Sequence, residues 1–156
     1  MICTYLFNLE NSVYFIMLQK LKYLTSKLTG LETEDVESME PLQVVHYGIG
    51  GHYEPHVDYF GTDFDEDDHY GDRMATMLFY LSDDFLGGST VFPLIGVAAR
   101  PQKGSALFWF NTQRSGIGDI HTMHAGCPII SGTKWIANFW IRDRVQTFKR
   151  SCPLNF

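Results

Sequence analysis

The sequence predicts a single, mainly β domain with one helix near its N-terminus. At 156 residues the chain is long enough to bury about two-thirds of its unfolded surface. Hydrophobic residues make up 45% of it and aromatic residues 15%, which predicts a packed core. After Pro41 the sequence divides into short apolar runs separated by Gly, Pro and Asp. This pattern indicates a β-sandwich or a jelly roll.

Residues 1–30 are expected to be helical and could be a truncated start of the chain. The apolar positions recur at helical spacing and are Tyr14, Leu18, Leu21, Leu24 (or Thr25) and Leu28. Gly30 stands where a helix commonly ends. The apolar residues 1–18 are interrupted by Asn8, Glu10 and Asn11, so they form a poor signal peptide and are too short and polar to span a membrane.

Eight strands are expected in the remainder, at residues 42–47, 52–58, 73–81, 90–92, 96–100, 105–110, 123–127 and 134–141. In the last of them the odd positions are apolar and should pack against the helix, namely Trp135, Ala137, Phe139 and Ile141. The even positions combine Lys134 with Ile136, Asn138 and Trp140. A lysine on such a face suits a pocket better than a bulk core.

Charge and cysteine content restrict the classes of function. A net charge of −6 argues against a general nucleic-acid binder, which would present a basic surface. Cys3, Cys127 and Cys152 match no common zinc spacing. They are either buried free thiols or, in an oxidising compartment, include a Cys127–Cys152 bridge.

The most informative pattern is His56-Val-Asp58, followed 66 residues after Asp58 by His124. Side chains in a strand alternate with period two, so His56 and Asp58 can reach one metal ion from the same face. Two histidines and one carboxylate are the ligand set of non-haem Fe(II) oxygenases. The same alternation also places His52 and Glu54 on that face, so periodicity cannot choose between His52 and His56. A polar outer face and a zinc site without oxygen chemistry are the competing interpretations.

Lys134 is the second informative position. A lysine is most often a surface residue in an ion pair, but its position beside Asn138 and Trp140 favours a pocket. A point cation in such a pocket would bind a carboxylate.

The segment from Tyr47 to Asp58, together with His124-Ala-Gly-Cys-Pro and Lys134, resembles the catalytic domain of prolyl 4-hydroxylases, closest to the collagen-type alpha subunit. The resemblance covers residues 42–152 and implies a double-stranded β-helix, which is a jelly roll. It implies Fe(II) ligation by His56, Asp58 and His124, and 2-oxoglutarate binding at Lys134 near Tyr47 and Thr90. It also implies peptide contact at Trp140, and no catalytic side chain beyond these ligands.

The resemblance further implies hydroxylation of proline to 4-hydroxyproline in procollagen-like, proline-rich peptides, with L-ascorbate as a helper. It implies the endoplasmic reticulum lumen as the compartment, a protein disulfide isomerase subunit as a partner, and a Cys127–Cys152 disulfide. The alternative is a catalytically inactive fragment of the same fold that acts as an interaction module.

Overall fold

A computed structural model describes residues 2–6, 13–35, 37–61 and 70–149 of the chain. Every strand pair in it is antiparallel. The largest sheet has five strands, in the spatial order β1 (Ile2–Leu6), β2 (Gln43–Tyr47), β11 (Lys134–Arg142), β4 (Arg73–Tyr80) and β8 (Ala106–Phe110).

A second sheet and a short strand pair complete the β structure. The second sheet has four strands, in the order β3 (Tyr53–His56), β9 (His124–Gly126), β6 (Thr90–Phe92) and β7 (Val97–Ala99). The short pair is β10 (Ile129–Ser131) with β5 (Leu86–Gly87). The result is the jelly roll that the sequence leads us to expect.

The described residues form two α-helices, α1 (Val13–Thr29), which follows β1, and α2 (Arg144–Lys149), which follows β11. Gly30 follows α1 with a φ of 70°, a left-handed conformation that glycine adopts without strain, and its N–H bonds the carbonyl of Ser26. The predicted helix is therefore confirmed. Its buried stripe includes Thr25 rather than Leu24, which is half exposed.

The main core lies between α1 and one face of the large sheet. Phe139 and Ile141 are fully buried there together with Ala75 and Met77 of β4, and Leu18 and Leu21 of α1 pack against them. The odd face of the last strand thus contacts the helix, as its pattern predicts. The opposite face of the same strands carries Thr76, Leu78, Ile136 and Lys134, and it faces a cavity.

The strand predictions are confirmed to within a few residues, but the expectation that residues 1–30 are helical is wrong in part. Ile2–Leu6 form a strand that pairs with β2 at the edge of the large sheet. This segment contains β-branched and aromatic residues, and pairing covers an otherwise open strand edge. The short strands β5 and β10 were too brief to be recognised by alternation. No helix in the described residues is long and apolar enough to span a membrane.

Candidate metal centre and adjoining pocket

The two sheets bring together three side chains that are far apart in the sequence. His56, at the end of β3, pairs directly with His124 at the start of β9. Asp58 follows two residues after β3 and is only 6% exposed. Its carboxylate oxygens lie 3.6 Å from Nε2 of His56 and 3.7 Å from Nε2 of His124. The potential ligand atoms of the three residues all lie within 4.8 Å of one another, a spacing that can hold one metal ion.

An irregularity in β3 decides which histidine belongs to this cluster. Tyr53 pairs with Gly126 and His56 with His124, so β3 contains one residue more than β9 over the same stretch. Such a bulge interrupts the period-two alternation. Tyr53 and His56 therefore both line the cavity, whereas His52 and Glu54 are exposed and contact each other at 3.0 Å. The expectation that His52, Glu54, His56 and Asp58 share one face is wrong for this reason.

Backbone carbonyls orient both imidazole rings of the cluster. Nδ1 of His56 lies 2.7 Å from the carbonyl oxygen of Glu54, and Nδ1 of His124 lies 3.0 Å from that of Thr122. Because a carbonyl only accepts, Nδ1 carries the proton, and the lone pair is left on Nε2. Burial lowers the pKa of His124 by more than the nearby Asp58 raises it, and His56 adds a smaller lowering. With Nε2 of both rings directed at Asp58, the imidazoles and the carboxylate form a donor set suited to Fe(II).

Two buried residues that the sequence did not single out support Asp58. Thr76 donates from Oγ1 to Oδ2 of Asp58 at 2.6 Å. Asn111 in turn donates from Nδ2 to Thr76 Oγ1 at 2.9 Å. Both are typical structural residue types, a threonine within a strand and an asparagine after one, so no pattern distinguished them.

Lys134 lies on the cavity-facing side of β11 and is only 3% exposed. Its Nζ donates to the carbonyl of Gly88 at 2.6 Å and lies 5.5 and 5.6 Å from the rings of Tyr47 and Tyr80. Within the described part of the chain no carboxylate lies within ion-pair distance of it. Burial lowers its pKa to about 8, although the nearby Cys127 opposes this. A buried ammonium group without a carboxylate partner can bind an anionic ligand.

The other residues predicted around Lys134 also lie in this region. Tyr47 is buried, and burial raises its pKa to about 12, with a smaller contribution from Tyr53. Thr90 is buried and accepts a hydrogen bond at 2.8 Å from the hydroxyl of Tyr80. Tyr80 was missed in the sequence, although alternation along β4 from Leu78 places it on the cavity face.

A cavity of about 500 Å³ is lined by the metal cluster, by Lys134 and by Trp140. At Trp140 the guanidinium of Arg73 stacks over the indole at 3.8 Å. Arg73 also pairs with Glu40, with Nε 2.7 Å from the carboxylate. Trp140 lines the cavity in an aromatic and charged surrounding, and its contact with a peptide stays a prediction.

The remaining candidates lie away from the cluster. His121 is exposed and contacts Asp119 at 2.9 Å, and His46 stacks on Trp135. Cys127 is partly buried. Cys152, its predicted disulfide partner, lies outside the described residues, so the bridge stays a prediction.

Comparison with known proteins finds a matching family and close relatives of this chain. Residues 42–142 match the family model described as the 2OG-Fe(II) oxygenase superfamily. Prolyl 4-hydroxylase subunit alpha-1 of Bos taurus is 49% identical over 133 residues, which cover 82% of this chain and 24% of that protein. Subunit alpha-2 of Caenorhabditis elegans is 47% identical over 120 residues, or 74% of this chain and 22% of that protein. The chain thus spans about a quarter of the length of these relatives.

A similar fold is found among solved structures. The viral collagen prolyl hydroxylase of Paramecium Bursaria Chlorella virus-1, in its 2OG complex, has a TM-score of 0.66 and 28% identity. The alignment covers 89% of this chain and 78% of the viral one. A prolyl-4-hydroxylase of Pseudomonas putida has a TM-score of 0.58 over 91% of this chain and 72% of its own, and at 19% identity it supports the fold alone.

Proposed function

Because the chain belongs to the 2OG-Fe(II) oxygenase superfamily, we propose that it catalyses Fe(II)- and 2-oxoglutarate-dependent hydroxylation of proline to 4-hydroxyproline in procollagen-like peptides. The observation that carries this proposal is one cavity that has a two-histidine, one-carboxylate cluster at one position and a buried lysine at another. The cluster suits Fe(II), and the buried lysine suits the far carboxylate of a dicarboxylic acid.

In this proposal His56, Asp58 and His124 hold Fe(II) from one side. The two Nε2 atoms face Asp58, because both Nδ1 atoms are engaged with backbone carbonyls. Three protein ligands leave positions open for a chelating co-substrate and O2. The bound Fe(II) and 2-oxoglutarate supply the oxidising chemistry, in which succinate and CO2 are formed and one oxygen atom enters proline.

Lys134 binds the distal carboxylate of 2-oxoglutarate in this proposal. Its charge is buried and its position is fixed by the carbonyl of Gly88. Tyr47 and Thr90 line the same end of the cavity and complete the polar contacts around that carboxylate. The uncharged surroundings strengthen the attraction, because fewer water molecules screen it.

The peptide substrate enters at Trp140, where an indole face suits a proline ring. The similarity to prolyl 4-hydroxylase alpha subunits and to a viral collagen prolyl hydroxylase supports a collagen-like peptide sequence. By the same reasoning we propose L-ascorbate as a helper, the endoplasmic reticulum lumen as the compartment, and a protein disulfide isomerase as a partner subunit.

The test is 2-oxoglutarate decarboxylation with and without a (Pro-Pro-Gly)n peptide, measured with Fe(II) and ascorbate. We expect peptide-stimulated CO2 release in the wild type and none in His56→Ala. His52→Ala is the matched control, because His52 is exposed on the other side of the β3 bulge, and it should remain active.

Two results would contradict the proposal. If activity is lost in His52→Ala and kept in His56→Ala, the metal ligand is His52 and not His56. A folded, metal-loaded wild type that consumes no 2-oxoglutarate would instead indicate an inactive interaction module.

A further inference from the structure

The carboxylate in the cluster is held by a chain of hydrogen bonds that runs away from the cavity. Asp58 accepts from Thr76, and Thr76 accepts from Asn111. Asn111 is completely buried, Thr76 is 1% exposed and Asp58 is 6% exposed, so water does not compete for these groups. Hydrogen bonds to an ionised group in such surroundings are strong.

The backbone fixes both supporting residues. Thr76 is a central residue of β4, where it pairs with Trp140 on one side and with Trp109 on the other. Asn111 directly follows β8; its own N–H donates to the carbonyl of Met74, and its carbonyl accepts from Asp119. Neither backbone segment can therefore move without disturbing the large sheet.

The direction of each hydrogen bond in this chain is determined by chemistry. Nδ2 of Asn111 donates one proton to the carbonyl of Arg73 at 3.1 Å and the other to Thr76 Oγ1 at 2.9 Å. Turning the amide over would place its oxygen against the carbonyl of Arg73, where neither could donate. Thr76 therefore accepts from Asn111, and its single proton is directed to Oδ2 of Asp58.

We propose that Asn111 and Thr76 are positioning residues that keep Asp58 a one-oxygen metal ligand. With Oδ2 engaged by Thr76, Oδ1 is the oxygen left free, and it lies on the side of His56. A carboxylate that turned to bind through both oxygens would occupy a position needed by 2-oxoglutarate or O2. The inference rests on the proposed metal site, and it concerns how that site keeps its open positions.

The first test measures metal binding rather than turnover, with Co(II) under anaerobic conditions as a redox-stable probe. Loss of an outer hydrogen-bond partner of a ligand typically costs about 10–100-fold in metal affinity. We expect Thr76→Val to weaken Co(II) binding by about tenfold or more by calorimetry and to change the visible Co(II) spectrum. Thr76→Ser, which keeps the hydroxyl, should restore both.

A matched control separates this effect from a change in the core. Thr25 in α1 is also completely buried, and its hydroxyl makes no hydrogen bond to the described residues. Thr25→Val should leave Co(II) affinity and spectrum unchanged. Wild-type affinity and spectrum in a folded Thr76→Val protein would overturn the proposal.

A second measurement uses the wild type, so it does not depend on a variant that folds. In a crystal structure with bound Co(II), we expect only Oδ1 of Asp58 on the metal, with Oδ2 still accepting from Thr76. Binding through both oxygens, or a Thr76 turned away from Asp58, would overturn the proposal. If the wild type binds Co(II) in this way yet hydroxylates no proline peptide, the proposed function fails while the positioning role stands.

Discussion

Replacing Lys134 with methionine should stabilise the ligand-free protein while removing its binding of 2-oxoglutarate. Lys134 is 3% exposed and, among the described residues, has no carboxylate partner. Burying its charged ammonium group therefore lowers the stability of the folded protein, and only a bound anion offsets this loss. Methionine has a similar length and no charge, so it removes this cost and fills the same space.

The lowered pKa of Lys134 gives the magnitude of the stabilisation expected for Lys134→Met. Burial lowers this pKa from 10.5 to about 8. Since a change of one in pKa corresponds to roughly 1.4 kcal/mol, burying the charged form costs about 3 kcal/mol at neutral pH. Methionine leaves the carbonyl of Gly88 without its donor, which costs about 1–2 kcal/mol. The net gain is about 1–2 kcal/mol, or a rise of roughly 4 °C in Tm.

The difference in stability between Lys134→Met and the wild type should also depend on pH. The folded protein loses the Lys134 proton near pH 8, whereas the unfolded chain loses it near 10.5. Between these values the unfolded state binds more protons, so this group makes the wild type more stable as pH rises. The advantage of Lys134→Met should therefore shrink from pH 8 towards pH 10.

The assay is thermal unfolding at pH 7 and at pH 9.5, with and without 2-oxoglutarate. Lys103→Met is the matched control, because Lys103 is exposed and the substitution changes composition in the same way. Saturating 2-oxoglutarate should raise the Tm of the wild type and of Lys103→Met but not that of Lys134→Met. A lower Tm for ligand-free Lys134→Met at pH 7, or an unchanged response to 2-oxoglutarate, would refute the reasoning.

Further predictions address the co-substrate, the core, the peptide site and the tail. The KM for 2-oxoglutarate should rise above pH 8 by up to about tenfold per pH unit, because Lys134 then loses its charge; a flat profile up to pH 9.5 would contradict this. Phe139→Ala should lower the free energy of unfolding in urea by about 3–5 kcal/mol, since Phe139 is fully buried. Trp140→Ala should raise the KM for peptide while leaving that for 2-oxoglutarate unchanged. A Cys127–Cys152 disulfide should stabilise by roughly 3 kcal/mol, and thiol titration of oxidised protein should find only one free cysteine.

Much of the architecture was predictable because period-two alternation records which face of each strand is buried. The last strand illustrates this, since Phe139 packs against α1 while Lys134 lines the cavity. The strand Ile2–Leu6 was not recognised, because its partner β2 lies about forty residues away and a short apolar run has no periodicity of its own.

The candidate site was predictable where a residue type is unusual for its surroundings, and not where it is ordinary. Lys134 on a strand face shared with Asn138 and Trp140, and the His56-x-Asp58 step, were visible in the sequence. The choice of His56 over His52 was not available from alternation, because the bulge in β3 is a feature of pairing with β9. Thr76 and Asn111 acquire their role only from the hydrogen bonds that the fold creates.

The activity proposed for this chain is that of a proline dioxygenase, and an isotope experiment tests this claim. The protein is incubated with Fe(II), 2-oxoglutarate, ascorbate and a (Pro-Pro-Gly)n peptide under ¹⁸O₂, and the products are analysed by mass spectrometry. We expect one ¹⁸O atom in each 4-hydroxyproline and one in each succinate, in equal amounts. Hydroxyproline without label, or labelled succinate with an unmodified peptide throughout, would contradict the claim.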